Sequence, residues 1–160
     1  MRNYEEIEII SDGLKLYGKL YLKDKEKPTI ILLHGLGFHS FEYDDFAPLL
    51  VEAGYNCVVF DFRCCGRSEG KRGYWTLDDY VEDTKSVIEY VRKNISESII
   101  LYGNSLGADV AIATTAKYPE GIKAIISVNC ATKISDFALT PFRRFLLAIV
   151  SFFKFIKYCI

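Results

Sequence analysis

Histidine is scarce in this chain: His34 and His39 are the only two among 160 residues, and none follows position 39. A serine nucleophile placed further along therefore has no downstream imidazole to act as its base. Basic excess is missing too. Net charge is −1, with 20 Lys and Arg against 21 Asp and Glu, so the chain lacks the electrostatic footprint of a nucleic-acid binder and no such partner is expected. The five cysteines (Cys57, Cys64, Cys65, Cys130, Cys159) form an odd set without C-x-x-C spacing, which argues against a disulfide framework and a zinc site. Nothing calls for a metal or an organic cofactor. Cys57 and Cys130 fall in strand-like runs and read as small buried hydrophobes. The opening Met1-Arg2-Asn3-Tyr4-Glu5-Glu6 has no apolar run behind a basic segment, as a secretory signal requires, so a cytoplasmic location is expected. No internal repeat or low-complexity linker divides the chain.

What is present is apolar surface in quantity. Half of the residues are hydrophobic and 14% are aromatic, enough for one domain with a sizeable core. Tyr4 to Ile10 and Leu14 to Leu22 alternate polar and apolar around Ser11-Asp12-Gly13, a hairpin signal with one face covered. Thr29 to Leu33, Asn56 to Phe60, Ser98 to Tyr102 and Ile122 to Val128 are short, nearly continuous apolar runs. That is the pattern of parallel strands buried on both faces. Helical stretches separate them: Phe41 to Ala53 closed by Gly54, Leu77 to Asn94, and Ala108 to Tyr118 stopped by Pro119. Thr76 with Asp79 makes a variant capping box for the long middle helix. Two strands followed by repeated strand-helix units predict an α/β fold, a mostly parallel sheet with helices on both faces.

Residues Gly103-Asn104-Ser105-Leu106-Gly107 read G-x-S-x-G, directly after a predicted strand and directly before a predicted helix. Such a nucleophile elbow lifts the serine hydroxyl above the sheet. Its glycines lack side chains because strand and helix cross closely there. By composition the pattern arises roughly once per 3,000 windows, so the alternative, a Gly/Ser turn with no chemistry, has to be coincidence in the right context.

A second element, His34-Gly35-Leu36-Gly37, ends the third strand. Its glycines allow a backbone N–H to point at the space above Ser105, and the residue after the serine supplies another donor. The amides of Leu36 and Leu106 are therefore the candidate oxyanion hole, each worth roughly 3 to 4 kcal/mol in the transition state. His34 reads as a residue that holds the turn through backbone hydrogen bonds rather than as a base, and His39 as a loop histidine.

The series His34 to Gly37, Phe60-Asp61-Phe62-Arg63-Cys64-Cys65-Gly66-Arg67-Ser68-Glu69-Gly70-Lys71-Arg72-Gly73-Tyr74, and the Gly103 to Gly107 elbow resembles the monoacylglycerol lipase and lysophospholipase branch of the α/β-hydrolase superfamily over nearly the whole chain. The resemblance implies a serine hydrolase of carboxylic esters with apolar acyl groups. Ser105 would be the nucleophile, and Leu36 and Leu106 the oxyanion donors. His34, Gly35, Gly37, Gly103 and Gly107 would support them. The family usually has glycine and histidine where this chain has Cys64 and Cys65, and histidine where it has Asn104. Neither change removes a catalytic atom. A reactive thiol beside Arg63 and Arg67 is the alternative to plain loop packing at Cys64 and Cys65.

In that family the sixth strand leads into an apolar cap, and two later strands carry the acid and the histidine. Residues 1–131 then correspond to the hydrolase core and 132–160 to the start of the cap, an N-terminal portion of the fold truncated after the sixth strand. Asp136 reads as a cap or turn carboxylate. The stretch from Phe142 to Lys157 is apolar with four basic residues. Its uncharged runs are short of the roughly 20 residues a bilayer needs, which suits an interfacial or lid helix. The expected partners are a small apolar acyl ester, a complementary C-terminal fragment, and a membrane surface touched by Phe142 to Ile160. Two other readings stand beside the esterase: a non-catalytic hydrolase-fold remnant or binding module, and a thioesterase or serine aminopeptidase-like peptidase.

Overall fold

The computed structural model describes residues 4–130. Six strands form one sheet: β1 (Glu5–Ser11), β2 (Leu14–Tyr21), β3 (Thr29–Leu33), β4 (Asn56–Phe60), β5 (Ile99–Asn104) and β6 (Ile122–Val128), in spatial order β1-β2-β4-β3-β5-β6. The opening hairpin is antiparallel and β2 joins β4 antiparallel, whereas β4, β3, β5 and β6 run parallel. Helices α1 (Phe46–Glu52), α2 (Leu77–Asn94) and α3 (Leu106–Lys117) cover both faces.

Strand periodicity sorts the core into two layers. On β3, Ile31 and Leu33 pack with Val81, Val87, Val91, Val110 and Ala111 of α2 and α3, and Ile30 and Leu32 pack with Tyr43 and Ala47 on the α1 side. Every residue of β3 and β4 is buried, as the unbroken apolar runs predict. α2 starts where its sequence says: Asp79 N–H donates to Thr76 Oγ1 at 3.2 Å, and Thr76 N–H donates back to Asp79 Oδ2 at 2.6 Å. Asp78 and Asp79 in its first turn and Arg92 and Lys93 in its last complement the helix dipole.

Arg63, just past β4, ties this framework together. Its guanidinium donates to Asp83 Oδ1 at 2.7 and 2.9 Å, to Asp79 Oδ1 at 3.0 Å and to Asp12 Oδ2 at 2.8 Å. The hairpin turn, the loop after β4 and α2 thus share one buried cation, with each guanidinium nitrogen facing a carboxylate.

Three expectations are corrected. The helix predicted over residues 41 to 53 is two pieces, a 3-10 turn at Ser40–Tyr43 and α1 from Phe46, because a continuous helix would drive the Pro48 ring into the Asp44 carbonyl. β6 is not buried on both faces. It is the sheet edge among the described residues, its positions are half-buried or exposed, and Ile126 is 44% exposed. Cys130 lies past the end of β6 and is half-buried, so of these two Cys57, fully enclosed in β4, is the small core hydrophobe. Residues 132–160, with Asp136 and the expected start of the cap, lie outside the described residues. Among the described residues no helix is long and apolar enough to cross a membrane.

Candidate active site

β3 and β5 are neighbours, yet the chain leaves β3 toward β4 on one side and β5 toward β6 on the other. Such a reversal opens a crevice at the carboxyl ends of the two strands, the place where parallel sheets bind ligands. The loop that begins at His34 and the turn at Ser105 both end there.

Ser105 joins β5 to α3 in a strained conformation, φ 53° and ψ −120°, that non-glycine residues rarely adopt. Its N–H donates to the Val128 carbonyl at 2.9 Å, and its own carbonyl accepts from Ala108 N–H at 2.9 Å. The flanking glycines are required sterically: a Cβ on Gly103 would sit 2.2 Å from the Gly107 carbonyl oxygen, and one on Gly107 only 2.1 Å from that of Leu33. Strand and helix cross here with backbone against backbone. Gly35 brings the other loop in, since a Cβ there would lie 3.6 Å from Ser105 Cβ.

Gly35-Leu36-Gly37-Phe38 is a type II turn. Phe38 N–H donates to Gly35 O at 3.2 Å, Gly37 has φ +80°, and Leu36 keeps negative φ. The Leu36 N–H, at the first central position, takes no part in the turn's hydrogen bond, and its side chain is 44% exposed. Leu106 opens α3, where first-turn N–H groups lack intrahelical acceptors, and its side chain is buried.

His34 is enclosed. Its Nε2 accepts from Phe62 N–H at 3.1 Å, so Nδ1 carries the proton and donates to Gly35 O at 2.9 Å. The ring, edge-on to Phe62, thus ties the turn to the segment just past β4 through its two nitrogens and has none left for a proton relay. Burial holds its pKa down at about 4, below the ordinary 6.5. His39 caps the 3-10 turn, its Nδ1 accepting from Phe41 N–H at 3.4 Å. It lines a cavity of about 410 Å³ with Tyr4, Lys19, Asp44, Asp61 and Arg67.

The neutral state of His34 makes stability depend on pH. With the folded pKa depressed, its contribution is fully present above pH 6.5, declines as pH falls, and is gone below about 4. The shift corresponds to a loss on the order of 3 kcal/mol. Melting curves between pH 7 and 4 are expected to drop more steeply for the native chain than for His34→Gln. Parallel profiles would show that His34 is not held neutral.

Asp61 was not singled out by sequence reasoning, yet it organises the rim. Its carboxylate accepts from Ser40 N–H at 2.6 Å and Arg67 N–H at 2.8 Å, locking the loops after β3 and β4 to each other. The available signal was an aspartate straight after a continuous apolar strand, with Gly66 nearby, where a Cβ would come 2.2 Å from the Asp61 carboxylate. Cys64 sits at φ 66°, the backbone region glycine favours, and burial pushes its thiol pKa up rather than down. Its Sγ faces the Tyr74 carbonyl at 3.5 Å, and Cys65 Sγ lies 3.4 Å from Tyr80 Oη. Cys64 is thus a packing residue, not an activated thiolate, and Cys65 packs against the core. Among the described residues, no three His, Cys, Asp or Glu side chains converge as metal ligands would.

Residues 24–155 match the family described as serine aminopeptidase, S33. The quorum-quenching protein AidA of Acinetobacter baumannii is 33% identical over 129 residues, covering 76% of this chain and 42% of that protein. A proline iminopeptidase of Thermoplasma volcanium is 32% identical over 117 residues, covering 71% of this chain and 38% of the relative. The chain therefore spans less than half the length of these curated relatives. Among solved structures, an esterase of Pyrococcus furiosus superposes with a TM-score of 0.75 at 27% identity, over 97% of this chain and 65% of that one. A predicted hydrolase of Thermoplasma acidophilum gives 0.70 at 27% identity, over 82% and 65%. The strained serine turn, the glycine crossing and these matches agree: the chain has the α/β-hydrolase fold and belongs to the serine aminopeptidase S33 family.

Proposed function

We propose that this chain carries the nucleophile side of a serine hydrolase acting on carboxylic esters of apolar acyl groups, such as acylglycerols or lysophospholipid-like molecules. Ser105 is the nucleophile, and the amides of Leu36 and Leu106 receive the oxyanion. One observation carries the reading: Ser105 stands on a strained strand-helix turn in the β3/β5 crevice, with the Gly35 turn packed against it. Attack of Oγ on the ester carbonyl moves charge to the carbonyl oxygen, where two preorganised N–H groups stabilise it. The Oγ proton needs a base, and His34 is fully engaged with backbone. The acid and the histidine are proposed to come from polypeptide outside these 160 residues, in keeping with the chain's 42% coverage of its relative. By the same reading the segment from Phe142 to Ile160 belongs to an apolar cap that meets the substrate or a membrane surface.

The experiment is hydrolysis of a p-nitrophenyl ester series by the chain alone and by the protein extended through its downstream reading frame. The chain alone is expected to give at best about 10³-fold enhancement over water. The extended protein should turn over. Equal, robust turnover by both would show that a base lies within residues 1–160.

The two oxyanion donors are separable from their side chains. Leu36→Ala keeps the N–H and is expected to cost little, whereas Leu36→Pro deletes it at a turn position whose geometry suits proline, costing about 10²-fold in kcat. Equal effects of the two changes would place the oxyanion hole elsewhere. A second reading, an aminopeptidase, is supported by the family's description and by the proline iminopeptidase relative. Cleavage of proline p-nitroanilide in preference to the esters would favour it.

A further inference from the structure

Asn104, the residue before Ser105, is gripped from both ends. Its Nδ2 donates to Glu42 Oε1 at 3.2 Å, and its Oδ1 accepts from Asn129 Nδ2 at 3.1 Å. Because a carboxylate only accepts, the orientation of the Asn104 amide follows from the pairing. Glu42 reaches the elbow from the 3-10 turn, which is itself pinned: Ser40 N–H donates to Asp61, and Tyr43 Oη donates to the Leu33 carbonyl at 3.0 Å. Its second oxygen, Oε2, is enclosed and has no hydrogen-bond partner among the described residues. An unsatisfied enclosed carboxylate oxygen is unfavourable and needs a reason in a folded protein. The Asn104 main-chain carbonyl also spaces the two loops, its oxygen lying 3.5 Å from where a Gly35 Cβ would sit.

We propose that Glu42 is a positioning residue: through Asn104 it fixes the rotation of the elbow against the Gly35–Phe38 turn, and so sets Ser105 relative to the Leu36 and Leu106 amides. The catalytic meaning of this clasp rests on the serine-hydrolase reading, but the clasp itself can be tested without turnover.

The test is amide hydrogen exchange resolved at Ser105, whose N–H donates to Val128, in the full chain. Glu42→Ala and Asn104→Asp are each expected to speed exchange at Ser105 about tenfold, with β3 amides changed by less than about twofold. Asn104→Asp still accepts from Asn129 but has nothing to donate to Glu42. Glu42→Gln should stay near the native rate, because its amide oxygen still accepts from Asn104. The Glu42→Ala/Asn104→Ala double variant should exchange no faster than Asn104→Ala alone. Native exchange at Ser105 in Asn104→Asp, additive effects in the double variant, or faster exchange spread evenly over β3 and β5 would each overturn the proposal. Should Glu42→Ala not fold, the contrast between Glu42→Gln and Asn104→Asp decides. Lack of ester turnover in the extended protein would instead remove the hydrolase reading and leave the exchange pattern intact, so the two fail separately.

Discussion

Gly107→Ala is expected to abolish cooperative folding. The added Cβ would stand 2.1 Å from the Leu33 carbonyl oxygen, 2.6 Å from its carbon and 2.8 Å from the His34 carbonyl oxygen. All three are backbone atoms of a central strand and its exit, so no rotamer change relieves the clash. Nor can α3 step back, because Leu106, Val110, Ala111 and Thr114 hold it in the core. Displacing a helix by more than an ångström breaks this packing at a cost of about 4 kcal/mol or more, a large share of the 5 to 15 kcal/mol that keeps a domain folded. Gly13→Ala is the control: its φ is +80° and nothing lies within 4 Å, so only the left-handed backbone is penalised, by about 1 kcal/mol. Urea unfolding followed by circular dichroism separates the two. A Gly107→Ala midpoint close to that of Gly13→Ala would mean that the crossing is looser than described.

Ser105→Ala carries the largest expected effect on activity. If Ser105 is the nucleophile proposed above, the change should lower kcat in the turnover-competent protein by roughly 10⁴-fold or more, because the covalent step would be lost while the proposed oxyanion donors stay in place. Stability should change by less than about 1 kcal/mol, since the backbone bonds of Ser105 to Val128 and Ala108 do not use the hydroxyl. Ester turnover with coincident melting curves is the measurement. A variant that keeps a tenth of the native rate would make the serine a bystander at a structural turn.

The parts of this fold that could be read from sequence are those fixed by local chemistry. β3, β4 and β6 end where their apolar runs end, and α2 begins at its capping box and spans the predicted residues. The elbow was legible because its two glycines and serine answer a steric problem that recurs wherever strand and helix cross so closely. Most of what escaped depends on partners distant in sequence. An apolar run such as Ile122 to Val128 looks the same whether a neighbour covers it or not, so its exposure follows from sheet order alone. The helical spacing from Phe41 to Ala53 concealed the break at Asp44 and Asp45, which Pro48 enforces. Asp61 gains its role from loops on two different strands, and Glu42 meets Asn104 across 62 positions. The state of His34 follows from the Phe62 amide, 28 residues away.

The most direct test of the account is where a fluorophosphonate attaches. Treating the extended protein with the probe and mapping the adduct by peptide mass spectrometry should place one phosphonyl group on Ser105, with labelling lost in Ser105→Ala. An adduct on another serine, or none while ester turnover persists, would contradict it.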